Sequence, residues 1–123
     1  MQPGTYSVRL TAGGRSYTRP LHIVMDPRVT APAAAIARQY ALASRISAAM
    51  DRSFELASRS KRKDPRSAAR YRRLNGELAR MLDLVEAADA EPTAMQRTTA
   101  GRLIGNVLRG DRIPTELRGT DEP

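Results

Sequence analysis

The sequence contains no cysteine and no tryptophan, and it has one histidine and one phenylalanine. Without cysteine there is no disulfide to stabilise a small fold and no thiol for nucleophilic or redox chemistry. A single imidazole excludes the His/Cys ligand spacings of the usual zinc sites. No apolar run is long enough to span a membrane, and the N-terminus lacks the charged and then apolar pattern of a signal peptide. The sequence therefore predicts no cofactor and no membrane partner.

Large apolar residues are also scarce. Leu, Ile, Val and Phe number 22 of the 123 residues, whereas alanine alone accounts for 19. That share lies below about a fifth, the level under which a highly charged chain is suspect as a self-sufficient globule. We expect one domain, or a small element beside a helical one. We also expect the isolated chain to melt broadly or to self-associate.

Residues 1–29 predict a β-hairpin. Apolar and polar side chains alternate from residue 6 to residue 11, which is typical of a half-buried strand. Gly13-Gly14 supplies the two positive-φ positions of a tight primed turn, and Asp26-Pro27 ends the run. Pairing outward from the turn predicts one apolar face, which is formed by Tyr6, Leu10, Tyr17 and Leu21. A two-stranded hairpin is marginal in water, so helix one, a partner chain or a second copy must cover this face.

From residue 32 the hydrophobic period changes to about 3.6, and this predicts helices over about 32–60, 65–87 and 93–109. Asp64-Pro65 is an N-cap followed by a proline at the first helical position, and Thr93 and Gln96 have capping-box spacing. The predicted fold is α+β and mostly α. It consists of the hairpin (1–29), a two- to three-helix antiparallel bundle (30–110) and a tail (111–123).

Each predicted helix has an apolar stripe that we expect to pack in the bundle. In helix one the main stripe is Ile36, Tyr40, Ala43, Met50, Phe54 and Ala57, widened by Leu42, Ile46, Ala49 and Leu56. In helix two the seam is Tyr71, Leu74, Leu78, Met81 or Leu82, and Val85. In helix three the candidates are Met95, Leu103, Ile104, Val107 and Leu108.

The net charge of +8 is concentrated around the junction of helices one and two. The candidate polyanion-binding residues are Arg59, Lys61, Arg62, Lys63, Arg66, Arg70, Arg72 and Arg73. Asp64 is the single anion among them. Such a cluster attracts nucleic acid in a salt-dependent manner, although a solvated helix-hairpin tip without function is the simpler interpretation. Only Tyr71 lies within the cluster to stack on a base, so any binding is expected to be nonspecific.

The sequence offers no catalytic constellation. His22 is the only imidazole, and the predicted register places it on the face opposite Tyr17 and Leu21, where nothing completes a triad. Three carboxylates, Glu77, Asp83 and Glu86, share helix two, but spacings of six and three do not bring them onto one face. We therefore predict that the chain is not an enzyme.

Three segments carry a resemblance: "PGTYSVRLTAGGRSYTRPLHIVMDPRV", "ARQYALASRISAAMDR" and "LNGELARMLDLVEAADAEPTAMQR". Together they resemble the C-terminal region of large bacterial BNR/sortilin-type β-propeller proteins, which are described as glycosyl hydrolases or as sialidase-like. The most specific parts are residues 3–6 with the Gly13-Gly14 turn, residues 25–29, and Ala88-Asp89 with Pro92-Thr93. The segment 112–117 echoes the family's closing segment, whereas the basic run is heavier than the family's.

This resemblance implies that the hairpin is the last pair of strands of an Ig-like module beside the propeller, followed by a terminal helical bundle. The remaining strands would lie upstream of Met1, so the chain would be a fragment, and any hydrolase activity would belong to the missing propeller. The implied role is a noncatalytic accessory module whose partner is the propeller or Ig-like part of a parent protein. The alternative is a small basic protein that binds nucleic acid or another polyanion. The compartment would be the cytoplasm by default, or outside it if the parent is exported.

Overall fold

The computed structural model describes residues 3–111. The elements in chain order are β1 (Gly4–Ala12), β2 (Arg15–Ile23), α1 (Ala33–Ser60), α2 (Pro65–Glu86) and α3 (Ala94–Asp111). The fold is α+β and mostly α, as predicted, and the helices begin and end within two residues of the predicted positions. The predicted tail beyond residue 111 and the echo at 112–117 lie outside the described residues.

The two strands form one antiparallel hairpin in the predicted register. Tyr6 lies opposite Leu21, and Leu10 lies opposite Tyr17. At the turn, Gly13 has a φ of 56° and Gly14 a φ of 73°. These left-handed conformations suit glycine because it has no Cβ, and two of them in succession make the primed turn that matches the twist of the strands.

Both predicted helix starts are confirmed by their hydrogen bonds. The Asp64 carboxylate accepts the backbone N–H of Ser67 at 3.0 Å, and Pro65 opens α2. At the start of α3, the Thr93 hydroxyl accepts the N–H of Gln96 at 3.1 Å, while the Gln96 amide oxygen accepts the N–H of Thr93 at 2.7 Å. Each pair satisfies N–H groups that have no partner within the helix.

Helices α1 and α2 form the predicted antiparallel hairpin. Gln39, near the start of α1, donates to the Val85 carbonyl at the end of α2, and Asn75 of α2 donates to Met50, farther along α1. The third helix packs against both of the others. The shared core consists mainly of Leu42, Ala43, Ile46, Ala49, Ala57, Tyr71, Leu74, Leu78, Met81, Val85, Ala100, Leu103, Ile104 and Val107. The predicted seam of α2 is therefore confirmed.

The predicted main stripe of α1 is wrong at its two largest residues. Tyr40 is 47% exposed and Phe54 is 69% exposed, whereas Leu42 and Ile46, from the stripe expected only to widen it, are buried. The buried face lies roughly a quarter turn away from the line through Tyr40 and Phe54, at about 100° per residue. Its small alanines allow α2 and α3 to approach closely, and this determines which side of α1 is covered.

Two predicted core residues of α3 are also exposed. Met95 is 79% exposed and Leu108 is 47% exposed. The side of α3 that meets the other helices is narrow and runs through Ala100, Leu103 and Val107. Met95 therefore does not fill a gap in the core, in contrast to Met81, which is buried as predicted.

Candidate interaction surfaces

The apolar side of the hairpin is open to solvent. We call Tyr6, Leu10, Tyr17 and Leu21 the hairpin face; these side chains are between 36% and 64% exposed. Among residues 3–111, neither strand contacts any of the three helices. The alternative in which helix one covers this face is therefore wrong. The linker leads into α1 at Ala33 without folding the helix back over the strands.

Two cations share this side of the hairpin with the apolar residues. Arg19 pairs with Val8 in the strand register, so it shares the side that carries the hairpin face. Arg15 shares the same side at the turn. From Gly4 to Ile23 the hairpin has three arginines and no carboxylate. The predicted register already pairs Val8 with Arg19, and the structure confirms this pairing.

The opposite side of the hairpin is polar and pairs its side chains across the strands. The Thr5 hydroxyl lies 3.0 Å from Nδ1 of His22, and the Thr11 hydroxyl lies 2.9 Å from that of Ser16. His22 is thus on the exposed side opposite Tyr17 and Leu21, as predicted. These cross-strand pairs support the register, and the hairpin face on the other side has no contact with the described helices.

Asp26-Pro27, which was predicted to end the hairpin, has a defined local structure. The Asp26 carboxylate accepts both the side chain and the backbone N–H of Arg28, and its backbone carbonyl accepts the Val29 N–H at 2.9 Å. The side-chain bond from Arg28, followed by the backbone bond, lowers the pKa of Asp26. The chain therefore leaves the hairpin through a closed turn before α1 begins.

The second surface is the end of the α1–α2 hairpin. We call the eight cations of residues 59–73 the basic tip, and all of them are exposed. They lie in the last turn of α1, in the connecting loop and in the first turns of α2. They are the eight candidate residues predicted from the sequence: Arg59, Lys61, Arg62, Lys63, Arg66, Arg70, Arg72 and Arg73.

The charge of the basic tip is little neutralised. Arg73 lies 3.8 Å from the Glu77 carboxylate, and within the described part of the chain it is the one member of the tip with an ion pair. Asp64, the only carboxylate inside the tip, serves as the N-cap of α2. Tyr71 is only 2% exposed, so the single aromatic ring of this segment belongs to the core and not to the surface.

A shallow groove of about 410 Å³ runs between α1 and α2. Its lining is mixed: Tyr40, Ala43 and Ser47 come from α1, and Leu82 and Glu86 from α2. The carboxylates of α2 do not converge at this groove. Glu86 lines the groove, whereas Glu77 pairs with Arg73. In the described part of the chain, no three His, Cys, Asp or Glu side chains are grouped to hold a metal ion. No helix over these residues is long and apolar enough to cross a membrane.

Two buried polar residues, Gln39 and Ser53, and the partly buried Asn75 align the helices through hydrogen bonds, and none of the three was predicted from the sequence to do so. Gln39 donates to the carbonyls of Val85 and Ala88, each at 2.6 Å. Ser53 is fully buried, and its hydroxyl accepts from the Asn75 amide at 2.8 Å. A polar residue recurring at a core position of an amphipathic helix is the signal that predicts such a contact.

Comparisons of the chain with known protein families, with curated proteins and with solved structures gave no match. The resemblance to the BNR/sortilin-type C-terminal region therefore stays a prediction.

Proposed function

We propose that this chain is a noncatalytic interaction module whose hairpin face docks against a β-sheet of another polypeptide segment. The observation that carries the proposal is the open hairpin face. Its aromatic and leucine side chains are exposed, and neither strand contacts a helix of the described chain. Two nine-residue strands with one apolar side are typical of sheet-on-sheet packing.

Docking would remove an energetic problem that the hairpin has when alone. An isolated two-stranded hairpin is marginally stable because it buries little apolar surface. Burial of apolar area contributes about 25 cal/mol per Å², and the two tyrosines and two leucines of the face are large side chains. The covering sheet would therefore stabilise both the complex and the hairpin itself.

Arg19 specifies the chemistry of the covering sheet. Arg19 shares its side of the strands with apolar residues, and a charge that becomes buried needs an opposite charge or hydrogen bonds. We infer a partner sheet that is apolar and places a carboxylate opposite Arg19. A second copy is disfavoured, because two hairpins that contain arginines and no carboxylate would repel each other.

The resemblance supplies a candidate for this partner. It implies the remaining strands of an Ig-like module next to a BNR/sortilin-type propeller, with this chain as the C-terminal accessory region. The absence of catalysis is part of the proposal. It is supported by the single imidazole, which lies on the polar side of the hairpin and pairs with Thr5.

Site-specific photo-crosslinking tests the docking. A photoreactive phenylalanine analogue is placed at Tyr17, on the hairpin face, and in a control chain at Thr18, the next residue on the opposite side. In cells of the source organism, we expect Tyr17 to crosslink to a peptide with alternating apolar residues and a nearby carboxylate, and Thr18 to give little product. Equal crosslinking from both positions would contradict docking through the hairpin face.

Two further outcomes would overturn the proposal. Crosslinks from Tyr17 to a second copy of this chain, together with a dimer in sedimentation, would show self-association. Crosslinks from Tyr17 to its own helices would show that the bundle covers the face after all. The parent relationship has a separate check, because DNA upstream of the Met1 codon that encodes no Ig-like strands would remove its support.

A further inference from the structure

We propose that the basic tip binds the phosphate backbone of duplex nucleic acid without sequence preference. The starting observation is the density of positive charge. Eight exposed cations lie within fifteen consecutive residues, which contain a single carboxylate, the N-cap Asp64. Counterion release on contact with phosphates is the main source of such nonspecific binding.

The fold concentrates these cations in a form suited to a polyanion. Arg66, Arg70 and Arg73 recur at spacings of four and three, which places them along one side of α2. Lys61, Arg62 and Lys63 follow the end of α1 and precede the α2 cap. Because the chain reverses direction here, charges from two helices and a loop gather at one end of the bundle and can meet several phosphates.

The burial of Tyr71 favours a duplex over a single strand. Single-strand binding depends on aromatic rings on which bases stack, and the ring within the tip is in the core. The nearest exposed aromatic, Phe54, precedes Arg59 by five residues. Direct reading of bases needs side chains placed in a groove, whereas a loop rich in lysine and arginine contacts backbone charge.

The same residues disfavour a membrane surface. Interfacial segments combine basic residues with large apolar side chains that enter the lipid. From residue 59 to residue 70 the chain has no apolar residue other than two alanines, Ala68 and Ala69, and Ala68 is buried. The basic tip would therefore be attracted to anionic lipid headgroups by charge alone, with no large apolar side chain to enter the lipid.

The basic tip and the hairpin face can act independently of each other. The hairpin precedes α1 and the basic tip follows it, and neither strand contacts a helix among the described residues. A partner on the hairpin face would therefore leave the tip accessible to nucleic acid. Failure of either proposal leaves the other intact, because the crosslinking at Tyr17 does not involve the tip.

Fluorescence anisotropy with the full chain and a labelled random-sequence duplex tests the binding. We expect binding at about 50 mM salt that weakens about a hundredfold or more by about 200 mM, the loss for four or five phosphate contacts. Binding that does not depend on salt, or no binding at the lower salt concentration, would overturn the proposal.

A pair of charge-matched variants assigns the binding to the tip. Each variant changes four exposed cations to glutamine, so both lose the same net charge. The tip variant carries Lys61→Gln, Arg62→Gln, Lys63→Gln and Arg70→Gln. The control variant carries Arg9→Gln, Arg15→Gln, Arg45→Gln and Arg102→Gln. Helical circular dichroism checks that both are folded.

We expect the tip variant to lose at least about tenfold in affinity at low salt, with a shallower salt dependence, and the control to lose less than about threefold. Equal losses would show that only net charge matters and would contradict a site. Tighter binding to single strands than to duplex, lost on Phe54→Ala, would overturn the proposal and indicate that bases stack on Phe54. Tighter binding to anionic vesicles than to duplex would overturn the proposal and indicate that the basic tip binds a membrane surface.

Discussion

At the scale of single residues, Gly110 of α3 lies directly against the buried ring of Tyr71 in α2. A Cβ on Gly110 would overlap the hydroxyl group of Tyr71, whose ring is 2% exposed and cannot move aside easily. We therefore expect Gly110→Ala to lower the free energy of unfolding by about 1–3 kcal/mol, the usual cost of overpacking. Urea unfolding followed by circular dichroism measures this change.

Gly101 provides the matched control in the same helix. Apart from the chain neighbours and the nearby backbone of its own helix, no atom lies within 4 Å of the position that a Cβ would take at Gly101, so Gly101→Ala should stabilise the protein by up to about 1 kcal/mol through helix propensity. Adding Tyr71→Phe to Gly110→Ala removes the overlapping oxygen and should restore part of the loss. A Gly110→Ala protein as stable as the wild type would show that the two helices do not meet as described.

At the scale of elements, Glu91 joins α1 to the segment that leads into α3. Its carboxylate contacts Nε of Arg38 at 2.8 Å and the Arg97 guanidinium at 3.8 Å. The hydrogen bond from Arg38 is the main reason why the pKa of Glu91 is lowered. Both Arg38 and Glu91 are about half exposed, so the effect on stability is modest and salt-sensitive.

The lowered pKa of Glu91 gives a pH-dependent prediction. A carboxyl group with a depressed folded-state pKa stabilises the protein above its unfolded pKa of about 4.3, and this stabilisation is lost as the pH falls through the folded value. Wild type should therefore exceed Glu91→Gln in urea stability at neutral pH. The difference should shrink once the pH falls below about 4.

The control for this prediction is Glu86→Gln. Glu86 is exposed, and no ion pair joins it to a described residue. Its replacement should cause a smaller stability difference at neutral pH than the replacement of Glu91. If the Glu91→Gln difference stayed constant from neutral to acid pH, the contact with Arg38 would not be the cause.

At the scale of the whole molecule, the hairpin and the helical bundle do not share a core. Every helix packs against the other two, and neither strand touches a helix in the part of the chain that the structure describes. Leu10→Ser with Tyr17→Ser should therefore change the urea midpoint of the helical circular dichroism signal little, by less than about 0.5 kcal/mol in free energy. These side chains have no helical contacts to lose.

Leu78→Ala is the contrasting variant, because Leu78 is fully buried at the centre of α2. Removing its side chain should cost about 2–5 kcal/mol and shift the same transition strongly. If the hairpin variant shifted the helical transition by a similar amount, the two parts would be coupled. An unchanged helical transition in the hairpin variant, beside a strong shift in Leu78→Ala, would agree with the separation of the hairpin from the helical core.

Several features of the fold and of the two surfaces were predictable because their causes are local. The Gly13-Gly14 turn determines the strand register, and Asp64 and Thr93 supply the caps that start α2 and α3. The membership of the basic tip was also predictable, because long charged side chains at a polar helix junction stay in water. The helical period alone was sufficient to predict the buried seam of α2, because its large apolar residues form one stripe and no second stripe competes with it.

Other features depended on packing between distant segments. Two apolar stripes compete on α1, and only the approach of α2 and α3 selects the one through Leu42 and Ile46 over the one through Tyr40 and Phe54. Tyr71 is nominally part of a basic segment, yet its ring is taken into the core beside Gly110. Local sequence carries no information on which neighbour fills the space beside a side chain.

By itself, therefore, the sequence determined the elements, their boundaries and the positions of charge, because turns, caps and periodicity act within a few residues. Only the tertiary structure decided that no helix of residues 3–111 covers the hairpin face and that the aromatic ring of the basic segment is buried. Both outcomes depend on which surfaces meet in three dimensions. Both proposals depend on these outcomes. An exposed apolar hairpin face favours docking against a sheet, and a basic tip without an exposed aromatic ring favours contact with backbone phosphates.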